Sequence, residues 1–302
     1  MYKKVKLDKF KNKFADVKYD DKSERQVMDV IVPEEGEGPF PAVLYIHGGS
    51  WISGDKRKYT RTFTFKLPSQ GYVLATMNYR LAPDWHWPAQ IEDVKNALRH
   101  IRENSEKYNI DLDRIYIWGD SSGGHLAQFA AATMDEEKYR FGDDGFTDIK
   151  ALISFYGVSD LTSFDRHAEK YGIKLEESTL GSMKSPLCML MGGIISEDEK
   201  LYKAAEEASP INHIKEGFIP TLLQHGNRDT LVAVDQSIEL TEKINEVSPD
   251  TEVILEIFEG ADHAVEVFKN DKNLSRCLDF LDRFAYGGKN PYRKELPEIE
   301  VE

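Results

Sequence analysis

Cysteine is scarce in this chain: its 302 residues hold only Cys188 and Cys277. They lie far apart, without the paired spacing of a metal knuckle or a redox couple, so both read as incidental buried thiols. Long apolar runs are missing too. The opening stretch from Met1 stays charged through Lys18, with no segment of signal-peptide length, and no run approaches membrane-spanning length. A cytoplasmic location and no membrane partner are the expectations. Positive charge is in deficit, with 39 Lys and Arg against 53 Asp and Glu, a formal net charge of −14. A field of that sign repels phosphate backbones, so no nucleic-acid partner is expected. There is no His-x-x-x-His pair for a metal and no Gly-x-x-x-x-Gly-Lys loop for a nucleotide phosphate. Neither a metal nor a cofactor is expected, and no internal repeat or low-complexity segment signals a solenoid or linker.

What is present is an ordered series of apolar runs and helical stretches. Strands are expected at Val27 to Val32, Ala42 to Ile46, Val73 to Asn78, Ile115 to Trp118, Ala151 to Phe155, Pro220 to Gln224 and Val253 to Phe258. Helices are expected at Ala89 to Asn104, Ser122 to Met134, Val234 to Val247 and Ala264 to Phe284. This alternation implies an α/β fold with a mostly parallel sheet flanked by helices, and unbroken apolar strands such as Ala42 to Ile46 suit a sheet covered on both faces. One α/β domain is expected over 27–286, with an N-terminal extension at 1–26 and an acidic tail at 287–302. The interval 157–209 lacks a clear strand, and an excursion that long is expected to be an inserted cap over the strand ends.

The most informative stretch runs from Ile115 to Ala127, where a strand enters Gly119-Asp120-Ser121-Ser122-Gly123 and an Ala-rich helix leaves it. That is a nucleophile elbow in its required context, with Ser121 exposed on a sharp turn and the Ser122 amide at a helix N-terminus facing a developing oxyanion. Ser122 is the rival nucleophile, but Asp120 rather than glycine stands two residues before it. Upstream, Ile46-His47-Gly48-Gly49-Ser50-Trp51 follows another strand. Gly48 and Gly49 are expected to supply further oxyanion amides, and His47 to hold the loop. In an elbow hydrolase the acid and base follow the serine in that order. Asp229 follows the Pro220 to Gln224 strand, and His263 follows the last strand. Asp262 and Glu259 are the alternative acids, less apt because a carboxylate adjacent to the histidine in sequence seldom reaches its Nδ1. Catalytic Ser121, Asp229 and His263 are therefore expected to perform acyl transfer.

Tyr45 to Trp51, Asn78 to Pro83, Pro88 to Asp93, Trp118 to Leu126 and His225 to Asp229 together resemble the hormone-sensitive-lipase-like and feruloyl or acetylxylan esterase-like branch of the α/β-hydrolases. The resemblance spans about Val27 to Phe284. It implies the α/β-hydrolase fold, the triad Ser121, Asp229 and His263, oxyanion amides at Gly48, Gly49 and Ser122, and a small-molecule ester substrate. A departure lies at Ser50, where the lipase-like pattern has a third glycine. His-Gly-Gly-x-Trp is similar to the kynurenine formamidase version, which makes an aryl formamide the alternative scissile group. Ser50, Trp51 and Trp85 are the substrate-pocket candidates, with Trp87 a third indole nearby. A catalytically silent binding protein on the same scaffold is the reading from another class. Assembly as a homo-oligomer stays open.

Overall fold

The computed structural model describes residues 3–141, 148–172 and 179–302. Its eight strands are β1 (Lys13–Lys18), β2 (Val27–Ile31), β3 (Phe40–Ile46), β4 (Val73–Met77), β5 (Ile110–Asp120), β6 (Ile149–Phe155), β7 (Thr221–Gly226) and β8 (Val253–Phe258). They form one sheet in the order β1-β2-β4-β3-β5-β6-β7-β8. The β1–β2 and β2–β4 pairs are antiparallel, and every pair from β4 to β8 is parallel. The mostly parallel, helix-flanked α/β sheet expected from the alternation is what the chain adopts.

Strand periodicity explains the layering. Along β3, Ala42, Leu44 and Ile46 enter one apolar cluster with Ile91, Val94, Leu126 and Phe129. Val43 and Tyr45 enter another with Leu274, Leu278 and Leu281. Side chains alternate across a strand, so a run that is apolar at every position has both faces covered. On the first face lie α1 (Ala89–Glu103) and α2 (Ser122–Ala132), and on the second α7 (Asp271–Tyr286). Leu240 and Ile244 of α6 (Asp235–Val247) pack on Leu223 of β7 and Ala132 at the end of α2. Each fully buried Leu or Ile contributes about 1.5–3 kcal/mol over its exposed state, which sets the register of the sheet firmly.

After β3 the chain adds β4 on one side and then returns to add β5 on the other. The loops leaving β3 and β5 therefore diverge at a topological switch point, where open α/β sheets form their ligand crevices. The interval expected as a cap holds α3 (Phe164–Lys170), α4 (Pro186–Met191) and α5 (Glu199–Glu207); its residues 173–178 lie outside the described residues.

Several boundaries differ from the sequence reading. The expected extension does not stand apart over its described residues 3–26, because Lys13–Lys18 is the edge strand of the sheet. Its period-2 pattern is broken by a bulge between Phe14 and Val17, with Asp16 at φ 49°, and its outer face is polar as an edge requires. The acidic tail is also tied down: Tyr292 meets Phe40 edge-on at 5.6 Å, and Val301 bridges Val5. β5 begins at Ile110, earlier than expected, because polar Asp111 and Asp113 interrupt its apolar run. The final helix starts at Asp271 rather than Ala264, where the Asn270 side chain accepts the amide of Asn273 and so caps it. Among the described residues no helix is long and apolar enough to cross a membrane.

Candidate active site

β5 runs directly into α2, and Ser121 between them has φ 55° and ψ −122°. For a non-glycine residue this is strained backbone, of order 1–3 kcal/mol, and the neighbouring glycines make the turn possible. A Cβ on Gly119 would lie 2.1 Å from the Gly123 carbonyl oxygen, and one on Gly123 would lie 2.1 Å from the Ile46 carbonyl oxygen. The elbow thus packs against β3 as well as against itself. The Ser121 amide donates to the Phe155 carbonyl at 2.9 Å, which anchors the turn to β6.

His263 leaves the loop after β8, and its Nε2 lies 3.0 Å from Ser121 Oγ. Its Nδ1 donates to Asp229 Oδ2 at 2.6 Å. Asp229 comes from the loop after β7, and its Oδ1 accepts the amides of Leu231 and Val232 at 2.9 and 2.8 Å. Burial works to raise the Asp229 carboxyl, but the His225 and His263 rings beside it hold it well below the usual carboxylate range. The three residues singled out from the sequence are brought into one hydrogen-bonded line. The alternative acids are engaged elsewhere. Asp262 Oδ1 accepts the amides of Thr230 and His263 at 3.0 and 2.7 Å, and Glu259 takes the Asn227 side-chain amide at 2.6 Å.

Supporting groups appear here that sequence spacing did not single out. His225 Nε2 donates to the Val232 carbonyl at 2.8 Å and lies 3.4 Å from Asp229 Oδ2, while its Nδ1 accepts from Ser237 Oγ at 2.7 Å. It pins the loop that carries Asp229. Tyr156 meets the His263 ring edge-on at 4.6 Å. The sequence signal for His225 was its place at the end of an apolar strand, four residues before Asp229; for Tyr156 there was none.

The loop expected to supply oxyanion amides departs from expectation at one residue. Gly48 does not offer its amide to the cavity, because that N–H donates to Asp120 Oδ1 at 2.9 Å. Tyr45 Oη also donates to Asp120 Oδ1, at 2.6 Å, and Arg61 Nη2 lies 3.3 Å from Oδ2. Burial pushes the Asp120 carboxyl up, but the Arg61 charge and these two donors outweigh it and keep it below the ordinary range. A carboxylate this well satisfied holds its amide donor. Among the described residues, the amides of Gly49, Ser50 and Ser122 meet no hydrogen-bond acceptor. His47 is fully buried, stacked on Tyr79 at 4.5 Å, and pushed down to about 3 by burial and by Arg61 and Arg25. A ring that stays neutral and packed is a structural support for the loop.

A cavity of about 460 Å³ opens on this line, bounded by Ser50, Trp51 and Ser121 on the core side and by Val158, Leu187 and Val232 around it. Ser182, Lys184 and Ser185 of the cap also reach it. Trp51 is only 4% exposed and forms one wall. Trp85 does not line the cavity. It is 37% exposed, under the Arg80 guanidinium at 4.7 Å, because the turn after Pro83 carries it to the surface. Trp87 packs edge-on against Phe129 at 4.9 Å. One group with metal-ligand chemistry occurs among the described residues, His167, Asp235 and Glu239, with donor atoms within 4.8 Å of one another. Both carboxylates are already paired, Glu239 with Arg166 through two contacts at 2.9 and 3.0 Å and Asp235 with Lys170.

Comparison with known proteins agrees with this fold. The BD-FAE family model matches residues 28–244. The probable carboxylic ester hydrolase LipM of Mycobacterium tuberculosis is 31% identical over 221 residues, 73% of this chain and 48% of that protein. Esterase LipC of the same organism is 27% identical over 76% of this chain and 54% of its own length. The chain spans about half the length of these curated relatives. Among solved structures, a truncated carbohydrate esterase from gut microbiota superposes with a TM-score of 0.77 at 24% identity, covering 93% of this chain and 99% of that one. A bifunctional GH43-CE protein of Bacteroides eggerthii gives 0.75 at 28% identity, covering 90% of this chain and 38% of that one.

Proposed function

This chain belongs to the BD-FAE family, and we propose that it is a serine carboxylesterase that cleaves small acyl or carbohydrate-linked esters. The observation that carries the reading is the continuous line from Ser121 Oγ through His263 to Asp229, with contacts of 3.0 and 2.6 Å, and a cavity of about 460 Å³ that Ser121 lines. Ser121 Oγ attacks the acyl carbon while His263 Nε2 takes its proton. Asp229 fixes the tautomer with Nδ1 protonated and stabilises the imidazolium. The negative charge that forms on the carbonyl oxygen is met by the unengaged amides of Gly49, Ser50 and Ser122, each such donor being worth about 2.7–4 kcal/mol in the transition state. The C–O bond to the alcohol then breaks, and the alcohol leaves with the proton from His263. Water attacks the acyl-enzyme by the same route, releasing the carboxylic acid and restoring Ser121 Oγ–H.

The carbohydrate-linked substrate class draws on the carbohydrate esterase and the GH43-CE protein named above, and on a cavity that opens beside Ser121 with hydroxyls of Ser182 and Ser185 at its border. A specific observation favours a second scissile group. Ser50-Trp51 completes a His-Gly-Gly-x-Trp loop, and both residues line the cavity beside Ser121. Both substrates need the same machinery. Turnover of p-nitrophenyl acetate, acetylated xylo-oligosaccharides and N-formylkynurenine at equal enzyme concentration separates them. The esterase reading expects the esters to be turned over at least tenfold faster in kcat/KM; the opposite order assigns a formamidase.

A further inference from the structure

The oxyanion loop is an improbable piece of backbone. Gly49, Ser50 and Trp51 have φ of 143°, 54° and 59° in succession, and two of the three carry a Cβ that this region disfavours. Such strain persists only where the surroundings over-determine it. Part of the hold is local, since the Gly49 carbonyl accepts the amides of Ile52 and Ser53 at 3.1 and 3.0 Å. Those bonds fix the far side of the turn. The near side, next to the Ser50 amide, is held by the Trp51 carbonyl accepting the Ala82 amide at 3.0 Å and by the Trp51 side chain.

The indole Nε1 of Trp51 lies 3.1 Å from His125 Nδ1, and the two rings meet edge-on at 5.3 Å. His125 is fully buried on the first turn of α2, where its own amide donates to the Ser121 carbonyl at 3.0 Å. Its Nε2 lies 2.8 Å from the carbonyl of Ala208, the residue that ends α5 in the cap. Directions follow from the chemistry of the partners. A carbonyl only accepts, so Nε2 carries the hydrogen; an indole N–H only donates, so Nδ1 is the acceptor. One neutral tautomer satisfies both bonds, and burial, against the pull of the Ala208 bond, pushes this ring down to about 4, which preserves that tautomer near neutrality. Trp87 stands against the same ring at 5.5 Å and closes it from solvent.

We propose that His125 is a positioning residue, which through Trp51 locks the Ser50 and Gly49 amides against the nucleophile elbow and ties that alignment to the end of the cap. This inference rests on the serine-esterase reading above. The nucleophile and the Gly49 and Ser50 donors come from different strands, and His125 joins them: its ring bonds Trp51 in the loop and Ala208 in the cap, and its own amide bonds the Ser121 carbonyl of the elbow. If the lock slackens, Ser121 and His263 stay in place while the donors drift from the oxyanion, so the loss falls on kcat rather than on KM.

Four variants test it with p-nitrophenyl butyrate, each checked by circular dichroism for native folding. His125→Phe keeps a ring and removes both bonds; it is expected to lower kcat by about 10–100-fold with KM changed less than about threefold, because a slackened donor forfeits part of the roughly 10²–10³ that a lost donor costs. His125→Gln offers an acceptor and a donor on one amide and is expected to recover most of that loss. Trp51→Phe removes the N–H from the other end of the bond, along with part of the ring, and serves if His125→Phe does not fold. In the double variant the losses should not multiply, since both changes break one interaction. Wild-type-like kcat in folded His125→Phe or Trp51→Phe, equal loss in the Gln and Phe variants, or fully multiplicative losses would each overturn the proposal. Ester turnover surviving in Ser121→Ala is a different result, and it removes the esterase reading beneath.

Discussion

Replacing Asp229 by Asn exchanges one carboxylate oxygen for an NH2 group and should nearly abolish turnover. Oδ1 of Asp229 receives two backbone amides, from Leu231 and Val232, at 2.9 and 2.8 Å, so the acceptor end of an asparagine amide is held there. The NH2 group must then occupy the place of Oδ2, 2.6 Å from His263 Nδ1 and 3.4 Å from His225 Nε2. Facing a donor, His263 takes the tautomer with the hydrogen on Nε2, and that nitrogen then points a proton, not a lone pair, at Ser121 Oγ. The wrong tautomer in a Ser-His-Asp triad costs about 10⁴ in kcat, or about 5.4 kcal/mol of barrier at 1.36 kcal/mol per decade. His225 meets the same donor-to-donor conflict, so a loss of folding stability of about 1–3 kcal/mol is expected as well. Initial rates on p-nitrophenyl butyrate with protein whose circular dichroism is native isolate the kinetic effect. A loss below about tenfold would refute the tautomer argument and leave Asp229 as a loop anchor only.

Three further outcomes follow from the geometry. Ser122→Ala removes a hydroxyl that lies 3.4 Å from Tyr79 Oη and leaves the backbone amide intact, so kcat should stay within about threefold; a loss near that of Ser121→Ala would make Ser122 the nucleophile. Trp85→Ala alters an exposed ring outside the cavity, and kcat/KM should move less than about twofold, whereas a tenfold rise in KM would return Trp85 to the substrate site. His125 and His47 are buried and neutral, pushed down to about 4 and about 3. An unfolded histidine titrates near 6.5. Between about pH 6.5 and 4 the unfolded chain therefore binds more protons than the folded one, so stability present above that window is lost as pH falls, by up to about 1.4 kcal/mol per pH unit for each histidine. Tm should drop on going from pH 7 to pH 4.5, and less steeply in His125→Gln; parallel curves would contradict the buried neutral tautomer.

The parts of this site that could be read from the sequence are those where covalent spacing and chemistry coincide. Gly119 and Gly123 flank Ser121 because a Cβ at either would strike backbone, and that need leaves a mark in the chain. Asp229 and His263 were legible because each follows a strand of a parallel sheet, whose C-terminal ends converge. Gly48 could not be assigned this way. Its amide is taken by Asp120, 72 residues away, a pairing that exists only once β3 and β5 lie side by side. The bond between Trp51 and His125, 74 residues apart, was hidden for the same reason, although both belong to motifs visible in the sequence. Trp85 shows the converse failure, where proximity to a motif suggested a pocket and the local turn carried the ring to the surface. β1 was lost because an edge strand needs no apolar alternation and a bulge interrupts what little there is.

In the proposed reaction the Ser121 hydroxyl carries the acyl group. Brief exposure of the folded protein to a fluorophosphonate probe, followed by peptide mass spectrometry, tests it directly. A single adduct on Ser121 is expected, absent in Ser121→Ala together with all turnover of p-nitrophenyl butyrate; an adduct on another residue, or ester turnover that survives in Ser121→Ala, would contradict that role.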